Sequence, residues 1–425
     1  MRVLFATIPE KSHLYCLTPL AWALRAAGHE VRVASAPGFS ATVAATGMTA
    51  VEVGTDDNIS SAMADHRESQ EIDEADWSEL DPARVTWAGE LSRMQMGRWG
   101  FAYYNEPMID DLVAFARFWR PDLVVWDPLT YAGPLAAGAV GAAQVRSMCF
   151  ADVWVAKRRL FGKLLAEAPE DQREDPMADW LGERAEGFGG SFSEELITGQ
   201  ATLDPLPERI SAPADTRRIP VRFVPYNGPA VLPDWLRRPQ ARPRVCLSLG
   251  AANTERYGGD YVSKASLLAA LADLDVEVVA ALLPSQVAEL DGALPDNARV
   301  VAQVPLHALL PGCSALIHHG GFGSFSGAMV EGVPQLVVST PVSDQLYRAG
   351  ALERAGAGLL LGHHRATPET VRAAVVRLLD DPAFRQGAAW LRDEALAHPT
   401  PHDLVPQLER LAVEGGSAPW TGGAV

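Results

Sequence analysis

Only four cysteines occur in 425 residues, Cys16, Cys149, Cys246 and Cys313, and no two form a Cys-x-x-Cys pair. A disulfide framework is thereby excluded, and the four read as small buried apolar side chains in a reducing compartment. The chain also lacks a basic excess: 36 Lys+Arg against 53 Asp+Glu leave a net charge of −17. So acidic a surface repels phosphate backbones and anionic lipid, which argues against nucleic acid and membrane surfaces as partners. No apolar run reaches the ~20 residues of a bilayer span. The 36 glycines and 31 prolines follow no short period, so collagen and simple solenoids are excluded. The start, Met1-Arg2-Val3-Leu4-Phe5-Ala6, enters a strand-like segment without the length or cleavage site of a signal peptide. A cytoplasmic location is the expectation.

What is present is ordinary for a soluble globular protein, 48% hydrophobic and 21% charged. At ~100–200 residues per domain, the length favours two domains. Val3 to Ile8 reads as a strand. Leu14 to Ala27 reads as a helix, with Leu17, Leu20, Leu24 and Ala27 on one face and Gly28 as its stop. Val31 to Ala34 and Leu123 to Trp126 are further strands, the latter followed by a small-residue helix from Tyr131 to Val140. Strands separated by helices predict a parallel sheet. The pattern breaks from Thr55 to Glu90, an acidic stretch read as an insertion with partial helix, and again from Pro169 to Asp215. Residues 217–242 are rich in Pro and Arg and read as a linker. Beyond it strands are expected at Val245–Leu249, Val276–Leu282, Val300–Val304, Ala315–His318 and Leu336–Ser339. The predicted organisation is an N-terminal domain over 1–216, the linker, a second domain over 243–400, and 401–425 as a helix packing back with a frayed tail from Gly415. Ligands of doubly wound sheets bind at the carboxyl ends of the strands, so the cleft between the halves is the expected site.

The first strand-to-helix turn, Ile8-Pro9-Glu10-Lys11-Ser12-His13-Leu14, contains no glycine. A dinucleotide fold wants Gly-x-Gly-x-x-Gly there, so the first half is not expected to hold a dinucleotide pyrophosphate. It offers His13 instead, either a general base at the mouth of the cleft or a residue that merely caps and packs. Asp127, at the end of the strand Leu123 to Trp126, is a candidate to orient it, and equally a turn starter before Pro128.

The second half carries Ala315-Leu316-Ile317-His318-His319-Gly320-Gly321-Phe322-Gly323-Ser324-Phe325-Ser326-Gly327. Here a strand ends in two histidines and a glycine-rich turn opens a helix. Backbone N–H groups and the dipole at a helix start bind phosphate, and glycine lets the backbone approach it. Tight helix–strand packing is the plainer use of the same glycines. Beyond it, Ser343-Asp344-Gln345 offers side chains for sugar hydroxyls or an N-cap at Ser343. Asp273-Leu274-Asp275 has metal-site spacing but precedes a strand and reads as a turn. His363-His364 has no carboxylate or thiolate company and reads as a solvated loop.

The residues Lys11-Ser12-His13-Leu14, Pro19 to Val31, Trp119 to Val124, Pro225-Tyr226-Asn227-Gly228-Pro229, His307 to Pro311 and His318-His319-Gly320-Gly321 together resemble bacterial natural-product glycosyltransferases of the GT-B fold, glycosyltransferase family 1. Among these the chain is most similar to the enzymes that move TDP-activated aminodeoxysugars of the desosamine and mycaminose kind onto macrolides. The resemblance covers nearly the whole chain. It implies an α/β, GT-B architecture: two doubly wound Rossmann-like domains facing a central cleft. It implies His13 as general base and His319 as a pyrophosphate contact, with Gly321, Gly323 and Ser324 as helix-start amides beside Gly320. Asp344 and Gln345 match the pair that holds the donor sugar, Val304 lies in the thymine-binding segment, and Gly250 is the turn near the phosphates. Phe322 departs from the family's usual small residue or proline, and Ala251 from a usual hydroxyl residue.

The implied reaction is inverting transfer of a deoxysugar from a TDP-deoxysugar to a hydroxyl of a hydrophobic polyketide or macrolide aglycone in antibiotic biosynthesis. No metal and no cofactor are expected, because amides and His319 can meet the charge on the departing diphosphate. The resemblance further implies a helper protein related to cytochromes P450, which the acidic insertion would serve, and it is compatible with a homodimer. Competing readings are a sugar-nucleotide 2-epimerase, a non-catalytic nucleotide-sugar-binding protein and an NADP oxidoreductase. A hydrolase would show two facing carboxylates, and no such pair is evident.

Overall fold

The computed structural model describes residues 1–56, 77–250, 262–288, 290, 294–302, 304–340 and 342–420. Two all-parallel sheets organise them. The first contains β1 (Arg2–Ala6), β2 (Glu30–Ser35), β3 (Thr49–Glu52), β4 (Leu123–Trp126), β5 (Ala143–Ser147), β6 (Thr202–Asp204) and β7 (Arg218–Pro220), in the order β3-β2-β1-β4-β5-β6-β7. The second contains β8 (Arg244–Ser248), β9 (Glu277–Ala281), β10 (Ala298–Val301), β11 (Ala315–His318), β12 (Gln335–Ser339) and β13 (Gly358–Gly362), in the order β10-β9-β8-β11-β12-β13. This is the expected pair of doubly wound halves.

The apolar runs that predicted strands are the buried centres of the sheets. Side chains alternate between faces: Leu4, Ala6, Val124 and Trp126 pack into one cluster, Val3, Phe5, Leu123 and Val125 into another. Both faces are covered by helices, which is why these strands read as continuous hydrophobic segments. Chain order reverses on either side of β1 in the first sheet and of β8 in the second, so the crevices for ligands open beyond β1 and β4, and beyond β8 and β11. The Ile8–His13 turn, Asp127, Gly250 and the His319 turn follow those four strands.

Several segments differ from the sequence expectation. The first helix runs Lys11–Ala26, starting three residues earlier than its apolar stripe, so His13 is helical. The stretch from Pro169 to Asp215 is ordered around a helix Pro176–Gly187, which buries Met177, Trp180 and Leu181, and the strand β6. The expected linker begins as the edge strand β7. Of the acidic insertion, residues 57–76 lie outside the described residues; its end is the start of a helix, Trp87–Asn105.

The C-terminal segment corrects the expectation of a frayed tail. Helix Val405–Glu414 sets Val405, Leu408 and Leu411 into the cluster of Val3 and Phe5, back in the first half. Residues 415–420 then continue as a strap. Ser417 N donates to Gly141 O at 3.1 Å and Trp420 N to Gly138 O at 3.3 Å. The Trp420 ring lies where a Cβ on Gly138 or Gly190 would stand, so two missing side chains form its slot. Residues 421–425 are outside the described residues.

Candidate functional site

A cavity of about 850 Å³ lies between the halves. Pro9, Glu10, Ser12, Tyr15 and Cys16 of the first turn and helix line one side; Gly250, Val304, His319, Gly321, Phe322, Gly323 and Ser324 line the other. A third wall, with Phe39, Val53, Tyr104 and Met108, is largely apolar. The sequence thus brings five donor-side candidates, Gly250, Val304, His319, Gly321 and Gly323, onto the cavity wall together with a sixth, Ser324.

His13 lies just behind the wall, between the wall residues Ser12 and Cys16 in its helix turn, and is 7% exposed. Its Nδ1 is 3.0 Å from Asp127 Oδ1. Asp127 is 1% exposed and also accepts hydrogen bonds from Ile8 N (3.0 Å), Leu129 N (2.9 Å) and Thr130 Oγ1 (2.5 Å). Burial pushes the Asp127 carboxyl up; the His13 charge and the hydrogen bonds from His13, Thr130 and Leu129 outweigh burial and hold it below the usual carboxylate range. Asp127 faces Nδ1, and the tautomer that carries its proton on Nδ1 leaves Nε2 as the proton acceptor. Glu10, missed in the sequence, stands near that nitrogen, its Oε2 3.9 Å from Nε2 and its Oε1 accepting from Tyr104 at 3.2 Å. Its place as the helix N-cap was the available signal. Cys149 Sγ is 3.4 Å from His13 Nδ1. Burial, with Cys16 and Asp127, pushes that thiol well up, and burial pushes Cys16 to about 12, so neither is a thiolate.

The two consecutive histidines of the second half have separate surroundings. His318 is fully buried; its Nε2 meets Gln335 Oε1 at 2.9 Å and its Nδ1 accepts from Gly320 N at 3.2 Å. Burial, aided by the charges of His319 and Arg348, pushes it down to about 3. It is a neutral brace for the turn. His319 faces the cavity between two glycines. A Cβ on Gly250 would be 2.7 Å from its Cε1, and one on Gly321 2.9 Å from its Nε2. Gly250 has φ +66° and Gly320 φ +104°, values that few other residues adopt. The helix Phe322–Glu331 begins here without a side-chain cap, and its first turn lines the cavity at Gly323 and Ser324. Such a start holds an anion well. Phe322, the family departure, stands edge-on to Phe223 with centroids 5.7 Å apart. Ala251 lies outside the described residues.

Asp344 and Gln345 are not on the wall. Asp344 is 2% exposed: its Oδ2 accepts from Ala151 N of the other half (2.6 Å) and from Arg348 Nε (2.7 Å), and its Oδ1 from Arg348 Nη2 (2.9 Å). Gln345 Oε1 accepts from Thr340 Oγ1 at 3.2 Å, with its side chain against Gly320. Arg348 was not anticipated, although its i,i+4 spacing from Asp344 on a helix was a readable signal. The remaining motifs are structural. Asp273 pairs with Arg372 at 3.0 Å and Asp275 with Arg242 at 3.2 Å. Among the described residues no three His, Cys, Asp or Glu stand together as a metal site, and no helix is long and apolar enough to cross a membrane.

Comparison with known proteins agrees with this architecture over the full length. Residues 22–250 match the N-terminal domain described as "Erythromycin biosynthesis protein CIII-like", and residues 265–411 match the C-terminal domain of that description. The chain is 45% identical over 418 residues to the 10-deoxymethynolide desosaminyltransferase of Streptomyces venezuelae, covering 97% of this chain and 98% of that one. It is 46% identical over 419 residues to the tylactone mycaminosyltransferase of Streptomyces fradiae, covering 97% and 92%. Among solved structures it is similar to the glycosyltransferase VinC in complex with dTDP, with a TM-score of 0.87, 42% identity, and coverage of 98% and 100%.

Proposed function

The chain belongs to the erythromycin biosynthesis protein CIII-like family of GT-B glycosyltransferases, and from that premise we propose that it moves a deoxysugar, of the aminodeoxysugar class, from its TDP ester to a hydroxyl of a hydrophobic polyketide aglycone, with inversion. One observation carries the reading. A histidine oriented by a buried carboxylate lies behind one side of a cavity whose other side is an uncapped helix start with a histidine beside it. In this reading the acceptor hydroxyl gives its proton to His13 Nε2 as its oxygen bonds to the anomeric carbon. The bond from that carbon to the diphosphate oxygen breaks on the opposite face, and TDP leaves with the electron pair. The amides at Gly323 and Ser324 and the His319 ring meet the charge that develops on the diphosphate. That role uses fixed protein dipoles and calls on no divalent metal. The apolar wall of Phe39, Val53 and Met108 suits an aglycone with few polar groups.

A helper protein related to cytochromes P450 belongs to the same proposal, and assay of the chain alone and with such a partner tests it. The donor assignment is tested by thermal unfolding with TDP, UDP and NADP in turn. A ligand at ~100 times its Kd adds about 2.7 kcal/mol of stability. TDP is expected to stabilise most; a larger shift from NADP, or none from TDP, would contradict the assignment.

A further inference from the structure

The turn that opens the helix Phe322–Glu331 carries glycine at positions 320, 321 and 323. Missing side chains let a backbone approach an anion, yet a phenylalanine stands among them. Phe322 is the one side chain between His319 and Ser324, and it lines the cavity with both. It also occupies the position where the family usually has a small residue or proline. Its ring is half-buried and held from two directions. Phe223, another residue of the cavity wall, meets it at 84° with centroids 5.7 Å apart. The Arg348 guanidinium lies over the ring, 5.4 Å from its centroid. Arg348 is itself 2% exposed and anchored, its Nη2 donating to the Gly320 carbonyl at 2.9 Å. Both phenyl rings also pack against the apolar cluster that contains Ala151, Leu206, Phe325 and Met329. The pair is an anchored apolar shelf beside the helix start.

We propose that Phe322, backed by Phe223, selects a deoxygenated donor sugar: its ring meets a carbon of the sugar that carries no hydroxyl, and it disfavours hexoses hydroxylated there. The proposal rests on the reading of this helix start as the diphosphate site. A sugar joined to that diphosphate through one oxygen is tethered next to the first helical residue, which is Phe322. A methylene or methyl group against the ring buries apolar surface on both partners and leaves no polar atom unpaired. A hydroxyl in the same place gives up its water, and the phenyl ring offers it no comparable partner. Hydrogen-bonding side chains recognise an oxygen that is present. A missing oxygen is recognised by a wall that would leave it unpaired. An apolar pocket of this kind discriminates up to ~10²-fold against an isostere that adds one hydroxyl.

The test uses TDP, TDP-glucose and the 2-, 4- and 6-deoxy forms of TDP-glucose, which differ by single oxygens. Calorimetry gives each Kd without an acceptor. The wild-type chain is expected to bind at least one deoxy form ~10- to 100-fold tighter than TDP-glucose. Phe322→Ala installs the small side chain usual in the family and should bring that preference close to one, with the Kd for TDP unchanged. Phe322→Leu keeps apolar bulk and should keep most of the preference. Phe223→Ala removes the backing ring and should lose part of it, which carries the test if Phe322→Ala does not fold. Equal wild-type affinity for TDP-glucose and all three deoxy forms would overturn the proposal. So would an undiminished preference in Phe322→Ala, or in Phe223→Ala where the first variant does not fold. A Phe322→Ala variant that weakens TDP itself as much as the deoxy forms would assign the ring to the nucleoside diphosphate and overturn it too. A wild-type chain that binds no TDP would overturn the donor assignment and the shelf together.

Discussion

Replacing Gly250 by alanine tests whether His319 is the diphosphate contact without touching the histidine itself. In the structure a Cβ at this position would lie 2.7 Å from His319 Cε1, and Gly250 has φ +66°. Two costs follow. The left-handed backbone penalises an L side chain by about 1–2 kcal/mol, which should appear as a lower melting temperature. The methyl group must also push the imidazole aside. Gly321 also crowds the ring, where a Cβ would be 2.9 Å from Cε1 and from Nε2, so the space left for the displaced imidazole is restricted. A displaced ring loses its hydrogen bond to the diphosphate. Hydrogen bonds to charged groups contribute about 1.5–3 kcal/mol, or ~10- to 150-fold in Kd. Calorimetric titration with TDP is the assay, run on Gly250→Ala, His319→Ala and the double variant. Each single variant should weaken TDP by that amount, and the double should be little worse than His319→Ala, since both remove one contact. Wild-type TDP affinity in Gly250→Ala, or a double variant that loses the sum of the singles, would refute the assignment.

Three further outcomes are expected. His13→Ala should lower transfer ~10²–10⁴-fold with TDP affinity unchanged, and Asp127→Asn should fall between, because it removes the ionised acceptor at Nδ1; steady-state kinetics with parallel TDP titration decides. His318 is held down near 3, so unfolding lets it bind a proton it refuses when folded. Stability should therefore be full above pH ~6.5 and decline by about 1 kcal/mol between pH 6.5 and 5.5, a slope that His318→Gln should flatten in urea titrations. Trp420→Ala should cost about 2–3 kcal/mol, somewhat below the range for a fully buried large aromatic, and Gly138→Ala should cost a similar amount by closing the slot; equal melting temperatures for wild type and Trp420→Ala would dismiss the strap.

Local pattern made much of this protein legible. Strands buried on both faces read as apolar runs because nothing along them is solvated. The helix start at His319-Gly320-Gly321 is a property of a few consecutive residues, so its chemistry is legible in the sequence alone. Segments failed where their stability comes from elsewhere. The stretch from Pro169 to Asp215 looked irregular because its helix carries few apolar residues, yet Met177, Trp180 and Leu181 bury against a distant core. The tail from Gly415 looked frayed because its composition is small and polar, and one tryptophan fits a slot made by glycines at 138 and 190.

The sequence by itself determined the two βα halves, the absence of a dinucleotide turn in the first, the glycine-rich helix start in the second, and the pairing of those features with a family. Periodicity, turn chemistry and helix-terminus electrostatics all act over a few residues, and a linear reading recovers them. Only the tertiary structure decided what depends on residues far apart in the chain. His13 meets Asp127 across 114 positions, and Asp344 meets Ala151 across 193. Gly250 and His319 follow neighbouring strands, where one missing Cβ makes room for a ring. Each of these contacts follows from strand order and from the seam between the halves, so none of them can be read along the chain.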